Sequence, residues 1–412
     1  MHVVMLSDLE DLGGAAVAAS RLAAGLVKGG HRVTRIVHFE SPGSHPWTTR
    51  RLVVSRTQGR LLRLLPPLAR ARLGGVFLEY RLRRVLDEVD PDVVNVHNLH
   101  GAGPAGWNLG LVTICTAKAP TVWTMHDMWS FTGRCAYNWD CDLFRSGCGR
   151  TCPTHFEYPS LPPDEIAPAW RRRRAVISES ENLIAVGPSR WLQQEAARGL
   201  WPPARVRWIP YGLPLDRFRP VATDTARAAL GIATTRPVLL VCAADWTERR
   251  KGGRGLREAL DQLPPESVCL LTLGVGGIGI DRQEVHDLGY VDDERMTALA
   301  YSAADLFVHP AQVDNLPNVV LESIACGTPV VGLPIGGVPD MVLPGITGWM
   351  ARGRDSRDLA DAVRMALADR ERWPELRQSC RAWAERHYGD DLQAERYESL
   401  FNELLGTDGG GS

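Results

Sequence analysis

The stretch His-Pro-Ala-Gln-Val-Asp-Asn-Leu-Pro-Asn-Val-Val-Leu-Glu-Ser-Ile-Ala-Cys-Gly-Thr-Pro-Val-Val-Gly-Leu-Pro-Ile-Gly-Gly-Val-Pro-Asp, residues 309–340, decides the fold class of this chain. The apolar run from Ala304 to His309 reads as a strand that enters a loop holding Asp314 and Asn315. Pro317 suits the first position of a helix, where its missing N–H would be unpaired anyway. The helix is expected to run to about Cys326, with Gly327 as its stop. A second apolar strand, Thr328 to Leu333, leads into Gly336-Gly337. A helix start with free N–H groups favours an anion. Asp314 and Glu322 bring two carboxylates to the same region, a poor arrangement for anion binding alone. It makes sense if the ligand also carries hydroxyls that need acceptors, as a sugar nucleotide does.

The same alternation recurs through the chain. In the first half, strands are expected over 2–7, 31–39, 92–98, 121–126, 182–189 and 206–212, with an alanine-rich helix at 15–28 behind the Gly13-Gly14 loop. In the second half they are expected over 238–243, 267–273, 284–291, 306–310 and 329–333. Strands alternating with helices predict two doubly wound, Rossmann-like α/β domains whose strand ends face a central cleft. The expected domains are 1–208 and 209–384. An amphipathic helix over 385–405 is expected to cross back to the first domain, and 406–412 reads as a flexible tail.

At 412 residues the length suits two domains. A net charge of −1 gives no global signal for nucleic acid. No window approaches the roughly 18 apolar residues of a membrane span. The start lacks a signal-peptide pattern and reads directly as a first strand, so a cytoplasmic location is expected. Nine cysteines, an odd count, argue against a complete disulfide framework.

The run from Asp314 to Val331 closely resembles the donor-site signature of retaining glycosyltransferases of family four, which have the GT-B fold. It looks most like the branch that builds capsules and exopolysaccharides. The family's acidic pair is Glu, seven residues, Glu; here it is Asp314, seven residues, Glu322. Several further motifs match, so the resemblance covers nearly the whole chain. It implies transfer of a sugar from a nucleotide-diphosphate donor (UDP- or GDP-sugar) to a sugar or lipid-linked acceptor, with the configuration retained. Arg250-Lys251-Gly252 resembles the family's diphosphate motif. Gly14 resembles the glycine of a loop that approaches the donor phosphate, and His126 the histidine near the donor sugar. On this reading His126, Asp314 and Glu322 are the catalytic candidates. Gly14, Arg250, Lys251, Asn315, Leu316, Pro317 and Glu322 are the donor-binding ones. Asp314 would orient sugar hydroxyls and Glu322 would accept from the ribose. Asp127 is expected to fix the tautomer of His126. Tyr211 stands where the family usually has asparagine, so no polar contact is expected of it. No cofactor is expected to be required for catalysis, because no Asp-x-Asp motif follows a donor-side strand.

Two segments fall outside that scheme. Residues 50–84 carry ten arginines against the single acid Glu79, with leucines interleaved. The stretch reads first as a solvated helix face, and in its functional version as a peripheral contact with the inner face of a membrane. Cys135, Cys141, Cys148 and Cys152, with five, six and three residues between them, occupy one short loop. Four thiolates at such spacing suggest a structural zinc, although the pattern is no standard finger or ribbon. Free thiols, disulfides and an iron–sulfur centre stay open. Two other functions also stay open: a sugar-nucleotide epimerase, and a non-catalytic donor-binding or scaffold subunit. Asp314 in place of Glu, and Ala244-Asp245 in place of a family Gly-Arg pair, speak for the last.

Overall fold

The computed structural model describes residues 1–406, apart from the side chains of residues 67 and 68; from 407 onward the expected tail lies outside the described residues. The chain divides into two compact units, Met1–Gly212 together with the segment from Asp390, and Leu213–Gly389.

The first unit opens with β1 (His2–Leu9), α1 (Gly14–Lys28), β2 (Arg32–Phe39) and β3 (Thr48–Arg51). It continues through α2 (Arg56–Leu62), α3 (Pro67–Val89), β4 (Val93–Val96), α4 (Gly110–Lys118) and β5 (Thr121–Thr124). It then runs through α5 (Leu143–Ser146), α6 (Pro163–Glu179), β6 (Leu183–Gly187), α7 (Arg190–Arg198) and β7 (Val206–Trp208). The strands form one sheet in the order β3-β2-β1-β4-β5-β6-β7, and every pairing is parallel. Both faces of β1 are covered. Val4 and Leu6 enter one core with Leu78, Leu82 and Leu111. Val3 and Met5 enter the other with Leu22 and Leu26. This two-sided burial explains why the strand reads as an unbroken apolar run rather than an alternating one.

The second unit contains α8 (Thr223–Leu230), β8 (Val238–Asp245), α9 (Gly253–Leu260), β9 (Cys269–Val275) and β10 (Glu284–Asp287). It continues with α10 (Glu294–Ala303), β11 (Leu306–His309), α11 (Asn318–Ala325), β12 (Val330–Gly332) and α12 (Val338–Met341). It ends with β13 (Gly348–Met350), α13 (Ser356–Ala368) and α14 (Trp373–His387). Its sheet runs β10-β9-β8-β11-β12-β13, again all parallel. The final helix, α15 (Asp390–Leu405), packs Ala394, Tyr397, Leu400 and Phe401 into the first unit's core beside Leu22 and Leu26. Gly25 of α1 permits that approach: a Cβ there would stand 2.8 Å from the Asp390 carbonyl oxygen.

The structure corrects several local expectations. β3 was not foreseen, because Thr-Thr-Arg-Arg is polar and mostly exposed at the sheet edge. β13 has three residues and too little pattern to read. Pro317 caps α11 in extended geometry (φ −64°, ψ 120°) instead of starting it, so the first helical residue is Asn318. The helix expected over 385–405 is two helices, broken at Tyr388-Gly389. In the basic segment Leu78, Leu82 and Leu86 are buried, whereas Leu61, Leu64 and Tyr80 are exposed. Among the described residues no helix is long and apolar enough to cross a membrane.

Candidate functional site

In a parallel sheet, ligands meet the carboxyl ends of the strands where the winding reverses. In the first unit that point lies between β1 and β4. Near the end of β1, Asp8 accepts the Leu9 N–H at 2.9 Å and the Gly101 N–H at 2.7 Å. Burial raises its pKa, partly offset by His100 and those two N–H groups. His97 follows β4, and its Nδ1 lies 2.9 Å from His126 Nε2. The other ring nitrogen of His126, Nδ1, lies 2.6 Å from the Tyr211 hydroxyl. Burial pulls His126 down to about 4 and His97 well below its ordinary value. Both imidazoles are therefore neutral near pH 7.

Two expectations are corrected here. The nitrogens of His126 are held by His97 and Tyr211, while the Asp127 carboxylate accepts the Trp129 N–H at 2.8 Å and pairs with His100 Nε2 at 2.9 Å. Tyr211, assigned no polar contact, makes the shorter of the two bonds to the His126 ring. His100 also meets the Tyr158 hydroxyl at 3.1 Å. Burial would lower the His100 pKa, but Asp127 and Asp8 outweigh it and raise it. The carboxylates thus favour the protonated form of His100, whereas burial keeps His97 and His126 neutral. Gly14 opens α1 behind Gly13, which has φ +87°, and no side chain caps this helix.

In the second unit the winding reverses between β8 and β11. After β8 the chain makes a turn at Arg249–Lys251 that ends on Gly252 at φ +75°. A Cβ on Gly252 would lie 2.0 Å from the Pro310 carbonyl oxygen, so the turn presses directly on the β11 loop. That contact brings Lys251 Nζ to 3.3 Å from Asp314 Oδ2 and Arg250 Nη1 to 4.0 Å from the same oxygen. Arg250 also meets Glu248 at 2.8 Å. Burial would raise the Asp314 pKa, but Lys251, His309 and Arg250 together hold it below the ordinary value. The Asn315 N–H binds Asp314 Oδ1 at 2.9 Å, and the Asn315 carbonyl accepts from the Gly337 N–H at 2.7 Å. The glycine loop lies close enough that a Cβ on Gly336 would stand 1.7 Å from the Asp314 carbonyl oxygen.

Leu316 is buried, and α11 starts without a side-chain cap, its Val320 N–H turning back to the Pro317 carbonyl at 3.0 Å. Glu322 accepts from the Tyr301 hydroxyl at 3.2 Å. His309, outside the residues expected at the site, is buried and has no hydrogen-bond partner on either ring nitrogen among the described residues. Burial pulls it to about 4, against the nearby Asp314. A histidine ending an apolar strand gives no local signal of this role. Asp245, the departure at the end of β8, accepts from the Thr247 N–H at 2.8 Å and the Thr247 hydroxyl at 2.6 Å, and so shapes the turn.

The four cysteines lie in the loop after β5 and line one pocket with Thr132, Asn138 and Phe144. None is in a disulfide. Elsewhere, Cys269, Glu284 and His286 cluster at the β9–β10 edge, but Glu284 is already engaged by Arg236 at 2.9 Å.

Two parallel α/β units with polar clusters at their winding reversals define a protein of the GT-B fold. The comparisons then assign the lineage. A family model described as "Glycosyltransferase Family 4" matches residues 12–217, and one described as "Glycosyl transferases group 1" matches residues 236–369. The chain belongs to glycosyltransferase family four. Relatives include D-inositol 3-phosphate glycosyltransferase 1 of Catenulispora acidiphila, 29% identical over 70% of this chain and 66% of that protein. A putative colanic acid biosynthesis glycosyl transferase, WcaC of Escherichia coli, is 29% identical over 51% of each chain. The chain spans 41% of the Nocardia farcinica D-inositol 3-phosphate glycosyltransferase, at 32% identity over 41% of its own length, and 54% of its Actinosynnema mirum counterpart. Among solved structures, sucrose-phosphate synthase of Thermosynechococcus elongatus superposes with TM-score 0.73 at 20% identity, covering 99% of this chain and 100% of that one. HepE of Anabaena, solved with UDP and glucose, superposes with TM-score 0.69 at 17% identity, covering 97% and 99%.

Proposed function

We propose that this protein is a retaining glycosyltransferase that takes a UDP- or GDP-sugar and passes the sugar to a sugar or lipid-linked hydroxyl in bacterial polysaccharide or glycoconjugate biosynthesis. The observation that carries the reading is the convergence of Lys251 and Arg250 on Asp314, at the winding reversal and next to the uncapped start of α11. When the glycosidic bond breaks, negative charge grows on the leaving diphosphate. Fixed cations and helix N–H groups stabilise that charge in place, without reorganising. Asp314 and Glu322 supply acceptors for sugar and ribose hydroxyls, and the glycines at 336 and 337 let the backbone come close.

In the first unit, His126 acts as a neutral group. With both ring nitrogens engaged and its pKa near 4, it can orient or shield the donor sugar but brings no proton at neutral pH. The basic surface of α2 and α3 suits an acceptor carried on a lipid pyrophosphate, with the protein on the cytoplasmic face of a membrane. The relatives' names support transfer over epimerisation, since those reported above are all transferases.

The test is calorimetric binding of UDP-, GDP-, ADP- and TDP-sugars, followed by transfer with the one that binds. An NMR product spectrum showing the donor's anomeric configuration is expected. An inverted product would remove the retaining assignment, and epimerised donor without transfer would replace the reaction class. Folded protein that binds none of the four donors would leave the scaffold reading in its place.

A further inference from the structure

Residues 125–162, between β5 and α6, hold a single four-residue helix, α5, among the described residues. So long a loop needs something to fix it. Its own apolar cluster consists largely of sulfur: Cys135, Cys152 and Ile166, with Cys148 and Leu161 packed against them. All four cysteines of the segment line one cavity of about 10 Å³, room for about one water-sized guest. That is space for one ion. Thr154 Oγ1 stands 3.9 Å from both the Cys135 and Cys152 sulfurs.

A second observation concerns charge. Arg134 and Arg173, 2% and 4% exposed, lie outside its lining but near its sulfurs: the charge of Arg134 acts on Cys135, and Cys148 and Cys135 act on Arg173. Arg134 donates to the Glu157 and Pro159 carbonyls and to the Thr154 hydroxyl, and its Nε is buried without a partner. Arg173 donates to the carbonyls of Trp129, Gly133 and Ala169. A Cβ on Gly133 would lie 2.6 Å from that of Cys148, so the contact at Gly133 sets Arg173 beside the sulfurs. Neither guanidinium meets a carboxylate within ion-pair distance among the described residues. Two buried cations with no carboxylate in contact are costly, even with Asp127 acting on Arg173 from farther away. Four thiolates on one Zn²⁺ carry two surplus negative charges, the complement the arginines lack.

We propose that Cys135, Cys141, Cys148 and Cys152 bind one tetrahedral zinc ion as thiolates, and that Arg134 and Arg173 neutralise the site. Four Zn–S bonds form as four thiol protons leave for solvent. In a tetrahedral site the sulfurs stand about 3.8 Å apart, from Zn–S bonds of about 2.3 Å. No three of them now lie within 4.8 Å of one another, and neutral thiols have no mutual attraction, so the ion draws the loop inward. Four protein ligands leave no open position, so the metal is structural. It fastens the arm that begins at His126-Asp127, to which the loop is tied by the bond from the Met128 N–H to the Ala136 carbonyl at 2.9 Å. The proposal does not depend on the donor reading above.

The test uses the full chain purified without chelator. Elemental analysis is expected to give about one zinc per chain, released by titration with an organomercurial. Cobalt-substituted protein should show thiolate charge-transfer and tetrahedral ligand-field bands. Cys141→Ser and Cys148→Ser should each lower zinc affinity at least a hundredfold. Arg134→Met and Arg173→Met should each lower it about tenfold, with lysine restoring most of the loss. If the cysteine variants do not fold, the cobalt spectrum and the arginine series still decide. Zinc below about a tenth per chain after growth with added zinc, disulfides mapped among the four cysteines, or iron in place of zinc would overturn the proposal.

Discussion

Replacing Lys251 with alanine isolates the charge on which the donor reading rests. Lys251 and Arg250 face Asp314 and Glu248 at 3.3, 4.0 and 2.8 Å, so the four groups sum to zero formal charge. Without Lys251 the sum is negative, and the diphosphate meets Asp314 with one cation fewer. A charge-assisted hydrogen bond contributes about 1.5–3 kcal/mol, which converts to roughly ten- to one-hundredfold in dissociation constant. Calorimetry on the preferred nucleotide sugar, at matched ionic strength and with folding checked by circular dichroism, reads this directly. The companion Asp314→Asn should leave binding of the bare nucleoside diphosphate unchanged or tighter. It should weaken preference for the sugar-bearing form, and the double variant should recover part of the Lys251→Ala loss.

The same pair has an acid signature. Because the Asp314 pKa is held below its ordinary value, its contribution to stability is present above the usual aspartate range and is lost as pH falls through the lower folded value. Lys251→Ala removes one of the groups holding it down, so the variant should lose stability at a higher pH. A folded Lys251→Ala protein that binds its donor with wild-type affinity would refute the phosphate assignment.

Three further outcomes are expected. Tyr211→Phe removes the 2.6 Å bond to His126 and should lower kcat/KM and stability by about 0.5–1.5 kcal/mol each, read by initial rates and urea titration. His126 and His309, both near pKa 4, bind fewer protons folded than unfolded, so stability should fall as pH drops from 6.5 toward 4; NMR that finds either ring protonated at pH 6 would contradict this. Gly336→Ala places a Cβ against the Asp314 carbonyl at φ +47° and should cost about 2 kcal/mol or more in stability and weaken donor binding, by denaturant titration and calorimetry.

Much of the fold is written in local pattern. The apolar runs of β1, β8, β11 and β12 survive because both faces of each sheet are buried. Gly327 stops α11 with φ +75°, as a glycine at a helix end should. What the pattern could not carry is pairing across distance. Tyr211 meets His126 across 85 residues, and Gly101 meets Asp8 across 93; neither residue advertises its partner. Asp127 misled for the same reason: adjacency to His126 suggested a bond, but the backbone turns the carboxylate toward Trp129 and His100. β3 and β13 escaped because edge strands can be polar or very short. His309 was invisible because burial, not residue type, sets it apart. The cysteines were conspicuous, whereas the two buried arginines beside them were two among many.

The return of α15 to the first unit bears on how the chain is made. Residues 213–389 form a continuous insertion within the other unit, so on a ribosome they can fold as soon as they emerge. The first unit must wait, because Ala394, Tyr397, Leu400 and Phe401 complete its core. Until α15 is synthesised, the side of α1 around Gly25 lacks its cover, so a helix translated early is among the last to be sealed. A nascent chain stalled just before Asp390 would therefore show a protease-resistant second unit beside a first unit still open to cleavage and to chaperones.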